Sequence, residues 1–465
     1  MMMMKNLILL LLSVSTLAVL GQNLTLSQME YVPQALQTNP TIFPRYNWYA
    51  ALPVASSINL GVTNSFALSD AIENSNGVTK LNLSGITGAV DNSGFFNFRT
   101  TLDLLNFGVK FAKHHFVNLT FQENIDIRVA YNNGLFNLAQ FGFADSAVIG
   151  NATTITDFGA NILHYSKLST GYTYQFEDGK ILSLRPSLYF GKGFVSTLDT
   201  RLRFLVDPSV TQFTFDADVI AKTSGTEVLD NILGFDSTAS SNFDFGSYVG
   251  NLRDMGAGID IGFSYPVDRT VTLSLAIVDL GFIRWKTTPR TYSIKNLSID
   301  FDGLSIDDLS ANSEDSTQQT GLDSLITSIE NQIVFNSDKS AFSTLVNAKF
   351  FINGIWHLNE IADVSFLIRS QMIYGRMEQA ITIANTLKLG KWLNTAVTYT
   401  IANNTYNNIG IGFAANAGPI QFYLVSDNIL GLTKLDYTKQ LNLRLGINIR
   451  PKPPTQRAAW SMRGR

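Results

Sequence analysis

The sequence predicts an all-β fold: a transmembrane antiparallel β-barrel of about 14 strands, with an N-terminal plug and long extracellular loops. Three observations predict it. Charged residues are only 15% of the 465, against roughly 25% in an ordinary soluble domain. No internal apolar run reaches the ~18 residues of a membrane helix. Long segments instead alternate with period two, which sends successive side chains to opposite faces of a strand. The net charge of −3 lacks the basic excess of a nucleic-acid binder. With no cysteine, a disulfide scaffold, a thiolate metal site, a Cys nucleophile and a lipoprotein anchor are excluded.

The elements follow in order. Residues 1–21 read as a signal peptide: one positive charge at Lys5, an apolar core over Leu7–Leu20, and cleavage after Gly21. The expected location is therefore the cell outer membrane. Residues 22–47 hold Pro33, Pro40 and Pro44 and do not alternate. Proline is poor in a central strand, so this segment is either a plug inside the barrel or an extension packed on its periplasmic rim. Irregular backbone at membrane depth needs protein or water around it, which favours the plug. Residues 48–450 carry the barrel, and 451–465 form a basic, Pro-rich periplasmic tail.

Alternation is clearest over Phe116–Val129. There Val117, Leu119, Phe121, Ile125 and Ile127 share a face with Glu123, opposite Asn118, Thr120, Gln122, Asn124, Asp126 and Arg128. Strands are expected near 54–68, 95–112, 116–130, 160–176, 181–199, 255–265, 270–283, 342–357, 362–375, 378–389, 392–402, 408–417, 420–427 and 440–449. Short turns at 113–115, 177–180, 266–269, 359–361, 390–391 and 418–419 alternate with long polar stretches. An outer-membrane barrel sorts its connections in this way, and a soluble sandwich has no reason to. Residues 194–206 and 210–222 suggest a raised hairpin. Gly321–Ile333 has helical apolar spacing and reads either as a short amphipathic helix or as an irregular excursion. A charge at Glu123 on the lipid face calls for a rim position or a bulge.

If apolar positions face lipid, Arg99, Asp103, Asp126, Arg128, Arg185, Asp260, Lys349, Arg369 and Arg444 line the lumen. Six of the nine are basic. Such a surplus either draws an anionic or amphipathic solute or braces a filled interior by pairing. Asn39 is the expected anchor of the plug, because its amide can bond backbone groups beside Pro40.

Pro33-Gln34-Ala35-Leu36-Gln37-Thr38-Asn39-Pro40-Thr41 is similar to the Asn-Pro-Ala element in the hatch of FadL-like barrels, with Thr41 where Ala is usual. Asp279-Leu280-Gly281-Phe282-Ile283-Arg284-Trp285 and Ser426-Asp427-Asn428 resemble signatures of an uncharacterised Bacteroidota outer-membrane barrel family. That family looks related to FadL-type channels and PorV-type secretion partners. The resemblance implies one of two functions. One is a passive channel for hydrophobic or amphipathic solutes. The other is a non-transporting scaffold or partner of a secretion or surface complex. The implied partners are outer-membrane lipid with hydrophobic or anionic small molecules, or secretion and surface proteins.

Catalysis finds little support. His114 and His115 sit in a turn, and no Ser–His–Asp set can be placed from spacing with His164 or His357. Gly256-x-Gly258 lies in a strand and precedes no helix, so it is no dinucleotide fingerprint. No zinc or calcium spacing is present, and no cofactor is implied. Ser146, Ser237, Ser316 and Ser324 each follow Asp in a polar stretch. They resemble the Asp-Ser/Thr-apolar acceptor of Bacteroidota O-glycosylation.

Overall fold

The computed structural model describes residues 23–451, apart from 54–55, 76–77, 91, 142–148, 157, 209–211, 226–243, 302–335, 374–375, 391 and 403–404. Fourteen wall strands follow in chain order. β1 is made of Trp48–Ala51 and Ile58–Asn64, β2 is Ser93–Ala112, β3 His115–Asn132, β4 Gly159–Gln175 and β5 Ile181–Val206. β6 is Asp254–Pro266, β7 Val271–Trp285, and β8 is made of Phe342–Leu345 and Lys349–His357. β9 is Ala362–Ile373, β10 Arg376–Leu389, β11 Leu393–Ala402, β12 Thr405–Ala417, β13 Ile420–Ser426 and β14 Gln440–Ile449. Each pairs antiparallel with its sequence neighbours. β14 returns to β1 through Leu445↔Ile58, which closes the barrel and removes its edges.

The sheet is polar inside and apolar outside. Along the middle of β3 the buried side chains are Asn118, Thr120, Gln122, Asp126 and Arg128, with Phe116, Ala130 and Tyr131 buried toward its ends. The outward Leu184, Leu275, Ile352, Ile383, Phe413 and Leu445 are 40–55% exposed. Trp48, Phe111, Phe176, Tyr265, Trp356 and Trp392 cluster within a few residues of the short turns. They form an aromatic girdle at that end. The turns are fixed by local side-chain bonds. Asp268 accepts from Thr270 Oγ1, Thr270 N and Val271 N, and these bonds hold its carboxyl below the usual carboxylate range.

A direct test of the outer belt is Leu275→Lys, four residues above a short turn. It is expected to cost roughly 2–4 kcal/mol, as a cation does near the bilayer midplane. Lysine at Leu358, in the turn itself, should cost at most about 1 kcal/mol. Urea unfolding from lipid vesicles measures both. Equal costs would mean that the belt does not face hydrocarbon.

Several expected segments differ in detail. The first strand is interrupted after Ala51, where Pro53 has no N–H for the ladder. The eighth is broken at Val346–Ala348. The long polar stretches carry structure of their own. β5 runs past the wall and pairs with Phe213–Ser224, giving the raised hairpin (Phe204↔Phe215). Phe213–Ser224 pairs onward with Arg290–Phe301, and that strand with Asn336–Asp338. The 34-residue run 302–335, with its helical spacing, lies outside the described residues, as do 1–22 and 452–465.

Candidate functional site

The residues before β1 touch inward-facing side chains all around the barrel. Leu24 packs with Ala276, Val278, Phe351, Leu367, Ala380 and Ala402. Leu26, Met29, Val32 and Ala35 pack with Ala396, Ala414, Tyr423 and Val425. Approach is close because the wall offers glycine there. A Cβ on Gly262 would stand 2.7 Å from the Pro40 carbonyl carbon, and one on Gly412 2.4 Å from Met29 Sδ. Polar bonds complete the contact. Gln34 Nε2 donates to Asn448 Oδ1 (2.7 Å), Gln37 Nε2 to Asp103 Oδ2 (2.8 Å), and Arg185 to the Leu36 carbonyl.

Asn39 spans Pro40 within this segment. Its Oδ1 accepts from Thr41 N (3.1 Å) and Thr41 Oγ1 (2.6 Å), and its Nδ2 donates to the Ser27 carbonyl (3.0 Å). Thr41 thus adds a side-chain bond to the turn that Ala could not make. From the wall, Asp427 accepts Leu24 N (3.3 Å) and Thr25 N (2.7 Å), and Asn442 braces it. Asn428 Nδ2 donates to the Gln440 carbonyl (2.8 Å). Within Ser426-Asp427-Asn428, Ser426 ends β13, Asp427 holds the N-terminal segment and Asn428 ties the following turn to Gln440 and Gly431.

Toward the long loops the interior is charged. Arg99 pairs with Asp126 (2.5 Å) and Lys167 with Asp260 (3.3 Å) and Asp279 (2.5 Å). Arg185 reaches Asp260 (3.3 Å), and Lys349 reaches Asp279 (2.5 Å). Arg444 donates to Ser57 Oγ and Gln37 Oε1, with Asp103 at 3.9 Å. Arg369 is buried beside them on β9. Asp279 stands at a β-bulge, where the β6–β7 register shifts and its own φ is +60°. Asp tolerates that left-handed conformation better than most residues. The bulge turns Asp279 inward, and its backbone N–H donates to Asp260 Oδ1 (2.8 Å).

Two bonds cross the interior. Arg128 on β3 pairs with Glu378 on β10 at 2.7 Å, and seven positions in a ring of fourteen strands is the diameter. Asn347, in the β8 break, donates to Asp126 (3.1 Å). Between Arg128–Glu378 and the N-terminal segment lies a cavity of about 90 Å³. Arg99, Lys167, Lys349 and Arg444 line it, against Asp126 and Asp279. A second cavity of about 260 Å³ opens at the short-turn end, between Arg45, Glu30 and the turns.

Sequence reading gave no role to Lys167, Glu378 and Asn347, and named Asp279 and Asp427 only as members of resembling motifs. Asp279 breaks the parity that would have found it, Glu378, Asp427 and Asn347 sit at strand ends or breaks, and Lys167 lies in an unbroken run of β4 where parity would have found it. Glu123 faces outward but is not bare. It accepts from Ser166 Oγ (2.6 Å) and lies 3.3 Å from His164 Nε2, whose Nδ1 bonds Tyr248 OH. Ser146, Ser237, Ser316 and Ser324 lie outside the described residues.

Residues 40–427 match the model of a family of unknown function (DUF5723). The chain belongs to this family. No curated protein matches it. Among solved structures, it is similar to the Pseudomonas putida toluene transporter TodX at 9% identity, over 90% of this chain and 92% of that one, with TM-score 0.35. It is likewise similar to a Pseudomonas aeruginosa FadL homologue at 9% identity, over 90% and 94%, with TM-score 0.38. The translocator domain of the autotransporter NalP from Neisseria meningitidis matches at 8% identity, over 92% and 96%, with TM-score 0.32.

Proposed function

We propose that this chain is an outer-membrane channel for amphipathic or anionic solutes, with residues 22–47 as its plug. The observation that carries the reading is the cation-lined cavity between the N-terminal segment and the Arg128–Glu378 bridge. A barrel built only to be filled has no need of a chamber inside a ring of inward charges. Arg99, Asp126, Lys349, Arg444 and their partners would line the route, and Asn39–Pro40 would shape the plug. The short turns would lie in the periplasm and the long loops outside the cell. The two crossing bonds also favour a second reading, a non-transporting scaffold whose interior is simply braced.

The placement itself has a test. The protein should fractionate with outer membranes and migrate faster on gels unheated than boiled, as a closed barrel keeps its shape in detergent. Cytoplasmic recovery, or migration that heating does not change, ends this reading. Single-channel recording in planar bilayers then separates a channel from a scaffold.

A further inference from the structure

The lining of the inner cavity points to the kind of solute it takes. Its two carboxylates are already engaged: Asp126 by Arg99, and Asp279 by both Lys167 and Lys349. Arg444 donates to the neutral Ser57 Oγ and Gln37 Oε1, and its nearest carboxylate, Asp103 at 3.9 Å, lies outside the cavity lining. Positive charge is left in surplus around the void.

Uncharged side chains there hold unused bonding capacity. Gln371 is 1% exposed, yet its Nε2 has no hydrogen-bond partner among the described residues. The same holds for Asn124 Nδ2. These are two amide donors, each on a residue that lines the cavity. Asp126 Oδ1 is an acceptor without a partner on the same wall. A buried donor or acceptor left unmade costs about 1–3 kcal/mol, so these three groups must bond whatever fills the chamber, and a solute that matches them can displace water there. Two donors in a cationic field fit an oxyanion, and one acceptor fits a hydroxyl. The cavity of about 90 Å³ has room for roughly six to nine water positions, the space of a three- or four-carbon molecule.

We propose that this chamber binds a small hydroxylated carboxylate, held by Gln371, Asn124 and the surplus of cations, with its hydroxyl on Asp126. This rests on the channel reading for its biological sense, but the binding can be tested apart from it. Titration calorimetry of the full-length protein in detergent, with lactate as probe and lactamide as its uncharged counterpart, reads it directly. Lactate should bind saturably and lactamide at least tenfold more weakly. Gln371→Leu, which breaks no bond seen here, should weaken lactate about tenfold or more, the ratio for losing one hydrogen bond to a charged group. Asn124→Asp keeps an acceptor for Thr101 Oγ1 and should repel the anion. Both variants must keep their heat-dependent migration. Equal binding of lactate and lactamide, or variants that bind like the parent, overturns the assignment. Absence of lactate binding in a protein that conducts in bilayers overturns this inference and leaves the channel standing. Lactate binding without conductance upholds the chamber and removes the channel.

Discussion

Replacing Asp279 by Ala should destabilise the barrel by about 3–5 kcal/mol, the cost of removing one partner from a buried charge cluster. Asp279 is 8% exposed and holds both Lys167 and Lys349 at 2.5 Å. Without it, Lys349 loses its only carboxylate partner seen among the described residues, and Lys167 keeps only Asp260 at 3.3 Å. The backbone adds to the loss, since Ala is disfavoured at φ +60° by roughly 1–2 kcal/mol. Asn suits that conformation and keeps an acceptor, so Asp279→Asn should fall between Ala and the parent. Urea unfolding from lipid vesicles gives the three values. If Ala and Asn both lie within 1 kcal/mol of the parent, the network does not brace the wall. Its charges would then be free to serve solute alone.

Asp279 also shows where sequence reading stops. Period two assigns Arg99, Asp126, Arg128, Arg185, Asp260 and Lys349 to the face opposite the apolar one, because the alternation of each strand runs unbroken through that residue. Parity fails at a bulge: the extra residue in β7 flips its faces, so that burial passes from Ala276 and Val278 to Asp279, Ile283 and Trp285, while β6 opposite keeps its parity through Asp260. The clue was present, for Asp is one of the few residues that accept a left-handed backbone. The six short turns were legible because each is a short polar break between two alternating segments, and four of them (177–180, 266–269, 390–391 and 418–419) contain Gly or Pro. The raised strand Arg290–Phe301 was not, because its exposed face is polar and it reads like the loop around it. Cross-barrel partners such as Arg128 and Glu378, 250 residues apart, depend on which strands face each other across the ring. No local pattern encodes that.

Deleting residues 23–47 while keeping residues 1–22 should yield an inserted barrel with larger single-channel conductance. The wall does not depend on the segment, since the ladder closes through β14 and β1, which remain. Its removal frees Asp427, Asp103, Arg185 and Arg444, whose bonds to the segment water can replace at the open end of a polar lumen. The apolar contacts of Leu24, Leu26 and Met29 are lost, so some stability goes with them. A second obstruction then stands in series: Arg128–Glu378 crosses the diameter on the long-loop side of the chamber. Resistances in series add, so deletion alone should raise conductance less than deletion combined with Glu378→Ala. Glu378→Ala alone should change little while the segment remains. Recording the four proteins in planar bilayers under one salt condition decides the matter. If the double change conducts no better than the parent, the interior is closed by its own packed side chains. The scaffold reading then becomes the better account of this barrel.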